Sequence, residues 1–192
     1  PKKISIKNND NVISFLMISR IIKEKGINEF LESSKIISTY FKNDKYKINF
    51  LLIGDNYNDD LYQKLIKYSS FNYLKYIEHS DDIREYIANS SCIVLPSYRE
   101  GSSKVLIEGA SMGKPILASN VPGCNNIVFD NKNGYLFNKK DVNSLVDTLI
   151  KFIKTSDKQK KIMGSHSRKI ALENYDIKYI NNQHMNIINN LI

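Results

Sequence analysis

Two carboxylates, Glu100 and Glu108, flank a Gly-Ser-Ser loop in the stretch Pro96-Ser97-Tyr98-Arg99-Glu100-Gly101-Ser102-Ser103-Lys104-Val105-Leu106-Ile107-Glu108. An apolar run, Cys92–Leu95, precedes it and a helical pattern follows over Val105–Met112, ending at Gly113. Ser102 or Ser103 is suited to cap that helix. The backbone N–H groups of Gly101 to Lys104 would then face outward where the helix dipole is positive, which makes an anion site. Glu108 lies more than one turn into the helix, placed to accept hydrogen bonds from vicinal hydroxyls such as a ribose diol. Glu100 aims into the same cleft from just ahead of the loop. Alone, either acid reads as surface charge; both around one loop after a buried strand point to function. Carboxylates beside an anion site suit a ligand with phosphates and hydroxyls, which describes a sugar nucleotide.

A second cluster follows the first apolar run, in Ser19-Arg20-Ile21-Ile22-Lys23-Glu24-Lys25-Gly26. Arg20 offers a guanidinium fork for phosphate oxygens and Lys25 a compact point charge. Together they would neutralise a diphosphate, although in isolation the turn reads more readily as solvated basic surface. It carries neither a GxGxxG fingerprint nor a P-loop.

These clusters need a scaffold that brings strand ends together. Val12–Ile18, Ile48–Ile53, Leu74–Ile77, Cys92–Leu95, Ile116–Ser119 and Tyr135–Phe137 read as short strands. Helical spacing appears over Ile27 to Phe41, Leu61 to Tyr68, Ile83–Ala88 (opened by Asp81-Asp82 as caps) and Val105–Met112. After Asp141 the pattern is purely helical, with Leu145, Leu149, Phe152 and Ile153 on one stripe and a final segment over Tyr175–Leu191. Alternating strands and helices predict an α/β, Rossmann-like three-layer domain with a mainly parallel sheet. Such sheets bind ligands beyond the carboxyl ends of their strands, where both clusters fall.

The 192 residues suffice for one well-buried domain, and the composition is that of a soluble globular chain. No apolar run approaches the ~20 residues of a membrane span. The opening PKKISIKNND has no signal-peptide pattern and reads as a cut in a polar linker, so a longer parent protein is expected. A net charge of +8 favours anionic partners, with solvated surface lysine an equal explanation. No basic helix with interleaved aromatics supports nucleic acid. Cys92 and Cys124 lack zinc or redox spacing, which makes a reduced, cytoplasmic protein the expectation.

Glu100 and Glu108 form the E-x7-E signature, and PSYREGSSKVLIEGASMGKPILASNVPG resembles retaining GT-B glycosyltransferases of family four. The resemblance extends through SRIIKEKGI, LLIGD, DDIREYIANSSCIVLPS and NGYLF, covering nearly the whole chain. It implies two Rossmann-like domains facing across a cleft, with this chain matching only the C-terminal, donor-binding one; the N-terminal acceptor domain would lie outside it. By motif position, Arg20 and Lys25 resemble the pair gripping the donor diphosphate. Glu108 resembles the ribose-binding acid and Glu100 the acid facing the transferred sugar. Gly101, Ser102, Ser103, Lys104 and Val105 complete the donor-binding stretch, and the base would lie near Tyr76 to His79. PSYREG followed by VPGC is most similar to bacterial enzymes extending polyprenyl-linked or surface oligosaccharides from UDP-galactose or UDP-N-acetylgalactosamine. Four positions depart from the pattern: Ser19 replaces a glycine, Gly109 an alanine, and Asn125-Asn126 a basic residue and a glutamate.

The implied reaction is hexosyl transfer from a nucleoside diphosphate sugar to an acceptor hydroxyl with retained configuration. Protein cations would replace a metal, and no cofactor is expected. The acceptor would be lipid-linked or a glycan, with peripheral contact to the inner face of the cytoplasmic membrane made through the other domain. A non-catalytic sugar-nucleotide-binding or regulatory module is the alternative from a different class.

Overall fold

The computed structural model describes residues 12–177 together with 181, 185 and 187–189. The polar opening and most of the expected Tyr175–Leu191 segment lie outside them. Six strands are β1 (Val12–Ile18), β2 (Lys47–Ile53), β3 (Leu74–Ile77), β4 (Cys92–Leu95), β5 (Ile116–Ser119) and β6 (Gly134–Phe137). Six α-helices are α1 (Ile27–Tyr40), α2 (Asp59–Ser69), α3 (Arg84–Asn89), α4 (Lys104–Ser111), α5 (Val142–Lys154) and α6 (Asp157–Asn174). A 3-10 turn, Lys23–Lys25, sits between β1 and α1.

All strand pairs are parallel, in the order β3-β2-β1-β4-β5-β6. The expected α/β, Rossmann-like architecture is present. The central strands β1, β4 and β5 are largely apolar on both faces because helices cover both. Phe15, Met17, Phe50, Leu52, Cys92 and Val94 face α1, α2 and α5. Leu16, Ile53, Ile93, Leu95 and Ala118 face α3, α4 and α6. The first layer is anchored by aromatics: Phe15 stacks on Phe50 at 5.0 Å between centroids and meets Phe152 edge-on at 5.9 Å. These rings are fully buried, each worth about 1.5–3 kcal/mol relative to exposure.

Three of the six helix starts are set by capping side chains. Asn58 caps α2 through Leu61 N, Asp141 caps α5 through Ser144 N, and Ser156 caps α6 through Gln159 N. The expected Asp81-Asp82 cap of α3 is only half right. Ile83 occupies the cap position, while Asp82 Oδ1 accepts from Arg84 N at 3.0 Å and Asp81 turns to His79.

Gly109 now has a physical reason. A Cβ built there would lie 2.6 Å from Ile93 Cγ1, and Ile93 is fully buried on β4. The missing side chain lets α4 settle directly on its strand. Gly109→Ala gains about 1 kcal/mol in helix propensity. It overpacks a β-branched core residue at a cost of about 1–3 kcal/mol. We expect a net loss of roughly 1–2 kcal/mol by chemical denaturation; an unchanged or higher midpoint would show that the helix does not need this approach.

Candidate functional site

The order reverses between β1 and β4, and the chain after these neighbours departs to opposite faces, into α1 and α4. A crevice must open there. It is held together by contacts between loops far apart in sequence. Lys25 Nζ donates to Glu100 Oε1 at 2.6 Å, and Ser97 Oγ donates to the same oxygen at 2.6 Å. Both charged side chains are largely withdrawn from water, at 20% and 10% exposure. The structure adds a contact that the sequence reading did not include: Lys25 engages Glu100 directly, while Arg20 remains exposed, 5.8 Å above the Tyr57 ring.

Glycines let these turns touch. Gly26 is left-handed at φ 72, and a Cβ there would meet Pro96 O at 2.1 Å. Gly123, at φ 82, brings the turn after β5 against the Glu100 and Gly101 carbonyls, where a Cβ would lie 2.4 Å and 2.5 Å away. The turn after β5 also contributes Cys124, whose buried thiol is pushed up to about 12 by desolvation and by the nearby Glu100 charge. It is a neutral packing group.

Tyr98 is a member of this assembly that the sequence reading left without a role. Its N–H donates to Glu24 O at 2.8 Å and its hydroxyl to Glu29 Oε1 at 2.8 Å. It thereby fastens the β4 loop to the 3-10 turn and to the first turn of α1. Burial raises its phenol pKa, with the Glu29 hydrogen bond adding to the shift. Glu29 itself is buried, and its second oxygen has no partner among the described residues. A tyrosine and a glutamate 69 positions apart carry no local signal of such a contact.

The Gly-Ser-Ser loop opens α4 as expected, but Lys104 is its first residue and Ser103 its N-cap without a side-chain hydrogen bond. Ser103 is instead buried, and its carbonyl accepts from Leu106 and Ile107 N–H at 3.1 Å. The capping role expected for Ser102 or Ser103 is thus not performed by the hydroxyl of Ser103. Among the described residues, the N–H groups of Gly101 to Val105 have no acceptor within the protein. They remain donors at the positive end of a helix dipole.

Glu108 sits half-buried in α4, and its carboxylate makes no hydrogen bond or ion pair among the described residues. Burial raises its pKa, and Lys104 only partly offsets this. Ser19 occupies its usual-glycine position without positive φ, donating its N–H to Ile53 O at 2.9 Å, so the substitution costs no backbone strain. Asn125 is exposed and bonds Asn120 at 3.1 Å.

Beyond the ends of β1, β2 and β3 lies a cavity of about 200 Å³, lined among others by Ser19, Arg20, Gly54, Asp55, His79 and Ile83. His79 lies where the base was expected. Its ring nitrogens meet Asp81 at 3.1 Å and Asp55 at 3.0 Å, contacts that raise its pKa. Tyr76 turns away, donating to Gly54 O at 2.9 Å. A larger cavity of about 450 Å³ lies among Ser14, Asn49 and Tyr73, at the amino ends of the strands and remote from this chemistry.

The sequence model for glycosyl transferases group 1 matches residues 1–169. The chain belongs to this family. The chain is 28% identical over 179 residues to the UDP-Gal:alpha-D-GlcNAc-diphosphoundecaprenol alpha-1,3-galactosyltransferase of Escherichia coli, covering 92% of this chain and 44% of that protein. Anabaena HepE, solved in complex with UDP, superimposes with a TM-score of 0.80 at 20% identity, over 94% of this chain and 49% of that one. The C-terminal domain of the Francisella tularensis group 1 protein LpcC gives 0.73 at 21% identity, over 86% and 87%. Likeness at these identities shows the shared fold. The chain spans less than half the length of the curated relatives it matches. Within the described residues, no helix is long and apolar enough to cross a membrane.

The Glu108 environment gives a signed prediction. A carboxyl whose folded pKa is raised contributes its stability below the ordinary value of 4.5 and loses it as pH rises through the folded value. Glu108→Gln is free of that loss. The variant should therefore unfold at higher denaturant than the parent at pH ~7, with the gap closing as pH falls below the carboxylate range. A gap independent of pH would assign the effect to packing instead.

Proposed function

We propose that this group 1 glycosyltransferase chain is the donor-binding half of a retaining enzyme. It takes a UDP-sugar, UDP-galactose or UDP-N-acetylgalactosamine, and serves bacterial glycan synthesis. The observation that carries this reading is the meeting of the β1 turn, the β4 loop and the start of α4 around the Lys25–Glu100 contact. That meeting sets fixed cations, orphan N–H donors and two carboxylates around one crevice, a match for a diphosphate joined to polyhydroxylated groups.

In this reading the diphosphate lies at the N–H groups of Gly101 to Val105, between Arg20 and Lys25. As the anomeric C–O bond breaks, the electron pair goes to the departing phosphate oxygen, and these groups stabilise the charge that develops there. Lys25 then divides its hydrogen bonds between phosphate and Glu100. Glu100 holds the transferred sugar and, through Lys25, the cation that faces its leaving group; it is a positioning and electrostatic residue rather than a nucleophile. Glu108 accepts from the ribose hydroxyls, which replace the water its carboxylate lost on burial. The base enters the cavity beside His79. Protein cations do the work of a metal, and no cofactor takes part. The acceptor hydroxyl, on a lipid-linked or glycan substrate, comes from a second, N-terminal domain beyond this chain; the similarity to the isolated C-terminal domain of LpcC supports that division. Transfer would take place at the inner face of the cytoplasmic membrane.

Calorimetric titration with UDP tests the site. Arg20→Ala and Glu108→Ala should each weaken binding by about tenfold or more, the scale of one charge-assisted hydrogen bond. Unchanged affinity in both variants would overturn the assignments. A second outcome follows from the division of the active site: the purified 192-residue chain should bind UDP yet transfer sugar at a small fraction of the rate of a two-domain enzyme. Efficient transfer by this chain alone would refute it.

A further inference from the structure

Tyr98 is held from three directions, and two of its contacts are costly to the fold. Its N–H donates to Glu24 O and its hydroxyl to Glu29 Oε1, each at 2.8 Å. Glu29 is buried in the first turn of α1, and its second oxygen has no partner among the described residues. An acid withdrawn from water with half of its bonds unmade destabilises a core that an apolar side chain would fill better. The third contact comes from Lys140, in the turn after β6, whose ammonium lies 5.0 Å from the centroid of the Tyr98 ring. Lys140 and Asn131 are the non-glycine residues at positive φ among the described residues, and that conformation is strained for a lysine. Costs gathered on one side chain point to a geometry that the site needs.

Tyr98 stands between Ser97 and Glu100, whose side chains share a 2.6 Å hydrogen bond. Lys25 donates to the same Glu100 oxygen, and the other oxygen takes no bond among the described residues. The β4 loop is therefore joined to the chain after β1 in two ways. One joint is the Lys25–Glu100 contact in the crevice, and the other runs through Tyr98 to Glu24 and Glu29. A ligand treats the two joints differently. In the donor reading Lys25 divides its hydrogen bonds between Glu100 and the diphosphate, so the crevice joint loosens as the donor arrives. The Glu29 carboxylate is enclosed, and no ligand competes for its bond to Tyr98. The second joint keeps its geometry while the first is in exchange.

We propose that Tyr98 and Glu29 are positioning residues for sugar recognition: their hydrogen bond holds Glu100 toward the transferred sugar independently of Lys25. Neither residue touches the donor, yet together they set the share of affinity that the sugar contributes. This role rests on the reading of the crevice as a donor site. Without the tether, the Lys25–Glu100 contact becomes the main side-chain link between the two turns. Glu100 then follows Lys25 as the ammonium turns to the diphosphate, and the carboxylate leaves the place from which it meets the sugar. Binding of the nucleotide part is unaffected, because Arg20 and the N–H groups ahead of α4 do not depend on the tether. A bond that only stabilised the loop would have the opposite signature, weakening UDP and sugar nucleotides alike or leaving both unchanged.

Calorimetric titration of the full chain with UDP, UDP-galactose and UDP-N-acetylgalactosamine tests this, read as the ratio of each sugar nucleotide's affinity to that of UDP. Tyr98→Phe removes one hydroxyl. It should leave UDP affinity within about twofold and lower the ratio for the better-bound sugar nucleotide by about fivefold, most of one charge-assisted hydrogen bond. Glu29→Gln keeps an acceptor for the Tyr98 hydroxyl and should hold the parent ratio within about twofold. Tyr98→Phe also leaves the buried Glu29 wholly unpartnered, which weakens the fold. The double variant Tyr98→Phe, Glu29→Leu replaces both partners with apolar groups, so its thermal midpoint should equal or exceed that of Tyr98→Phe while the ratio stays about fivefold low. An unchanged ratio in the double variant, equal losses for UDP and the sugar nucleotides, or a ratio in Glu29→Gln as low as in Tyr98→Phe would each overturn the proposal. UDP binding with an unmoved ratio would refute the tether alone, whereas a parent chain that binds no UDP would refute the donor reading and the tether with it.

Discussion

The chain after β1 and after β4 leaves the sheet toward opposite faces, and that divergence is the constraint on which the remaining architecture depends. A parallel sheet with right-handed crossovers cannot avoid it once the strand order reverses. The opening exposes backbone polar groups that neighbouring strand ends would otherwise cover. Here the gap is bridged by Lys25 and Glu100 at 2.6 Å, with Ser97 as a second donor to the same carboxylate oxygen. Partial burial strengthens the attraction but charges both groups a desolvation cost, so a pair of this kind is poor evidence of stability. Its value is geometric. It fixes two charged groups that would otherwise rotate freely, and it does so where three separate turns come within touching distance.

Much of the scaffold was legible because each element carries its own local signal. β1, β3, β4 and β5 have the bounds read from their apolar runs, since a strand buried on both faces admits few polar residues. Helix ends drifted by one or two residues, because a residue suited to capping need not occupy the cap position. Asp82 illustrates the difference: its carboxylate reaches Arg84 N from outside the helix, so the Asp81-Asp82 pair looked like a cap while Ile83 took the position. Ser103 is the same lesson in reverse. Its type and place suit a cap, yet it is buried, and its carbonyl rather than its hydroxyl is engaged.

The candidate site was legible as a set of residue types and much less as a set of contacts. The E-x7-E spacing marks both acids, but nothing in it says that Glu100 will meet a lysine 75 positions earlier. Arg20 and Lys25 share one turn, yet one is exposed and the other largely covered, because only Lys25 faces the β4 loop. Tyr98 and Glu29 were invisible for a related reason. A tyrosine beside a strand end and a glutamate in the first turn of a helix are each ordinary, and their hydrogen bond exists only after the sheet has brought the ends together. Gly109 lay between these cases. The sequence showed an unusual residue, and only the 2.6 Å approach to Ile93 supplies the reason.

Glu108, Glu29 and the N–H groups ahead of α4 share one property: each is a polar group without a complete set of protein partners. In a domain selected for stability alone, such groups would be paired or replaced by apolar ones. They differ in what could complete them. The second oxygen of Glu29 is enclosed behind Tyr98, so no ligand reaches it, and it is best understood as a cost of pinning the loop. The α4 donors stand at the end of a helix dipole beside the crevice, and Glu108 follows one turn later on the same helix. Their incompleteness therefore has an address. A ligand with a phosphate at one end and hydroxyls a short distance away would satisfy both groups at once, and neither an inorganic anion nor a neutral sugar would do so alone.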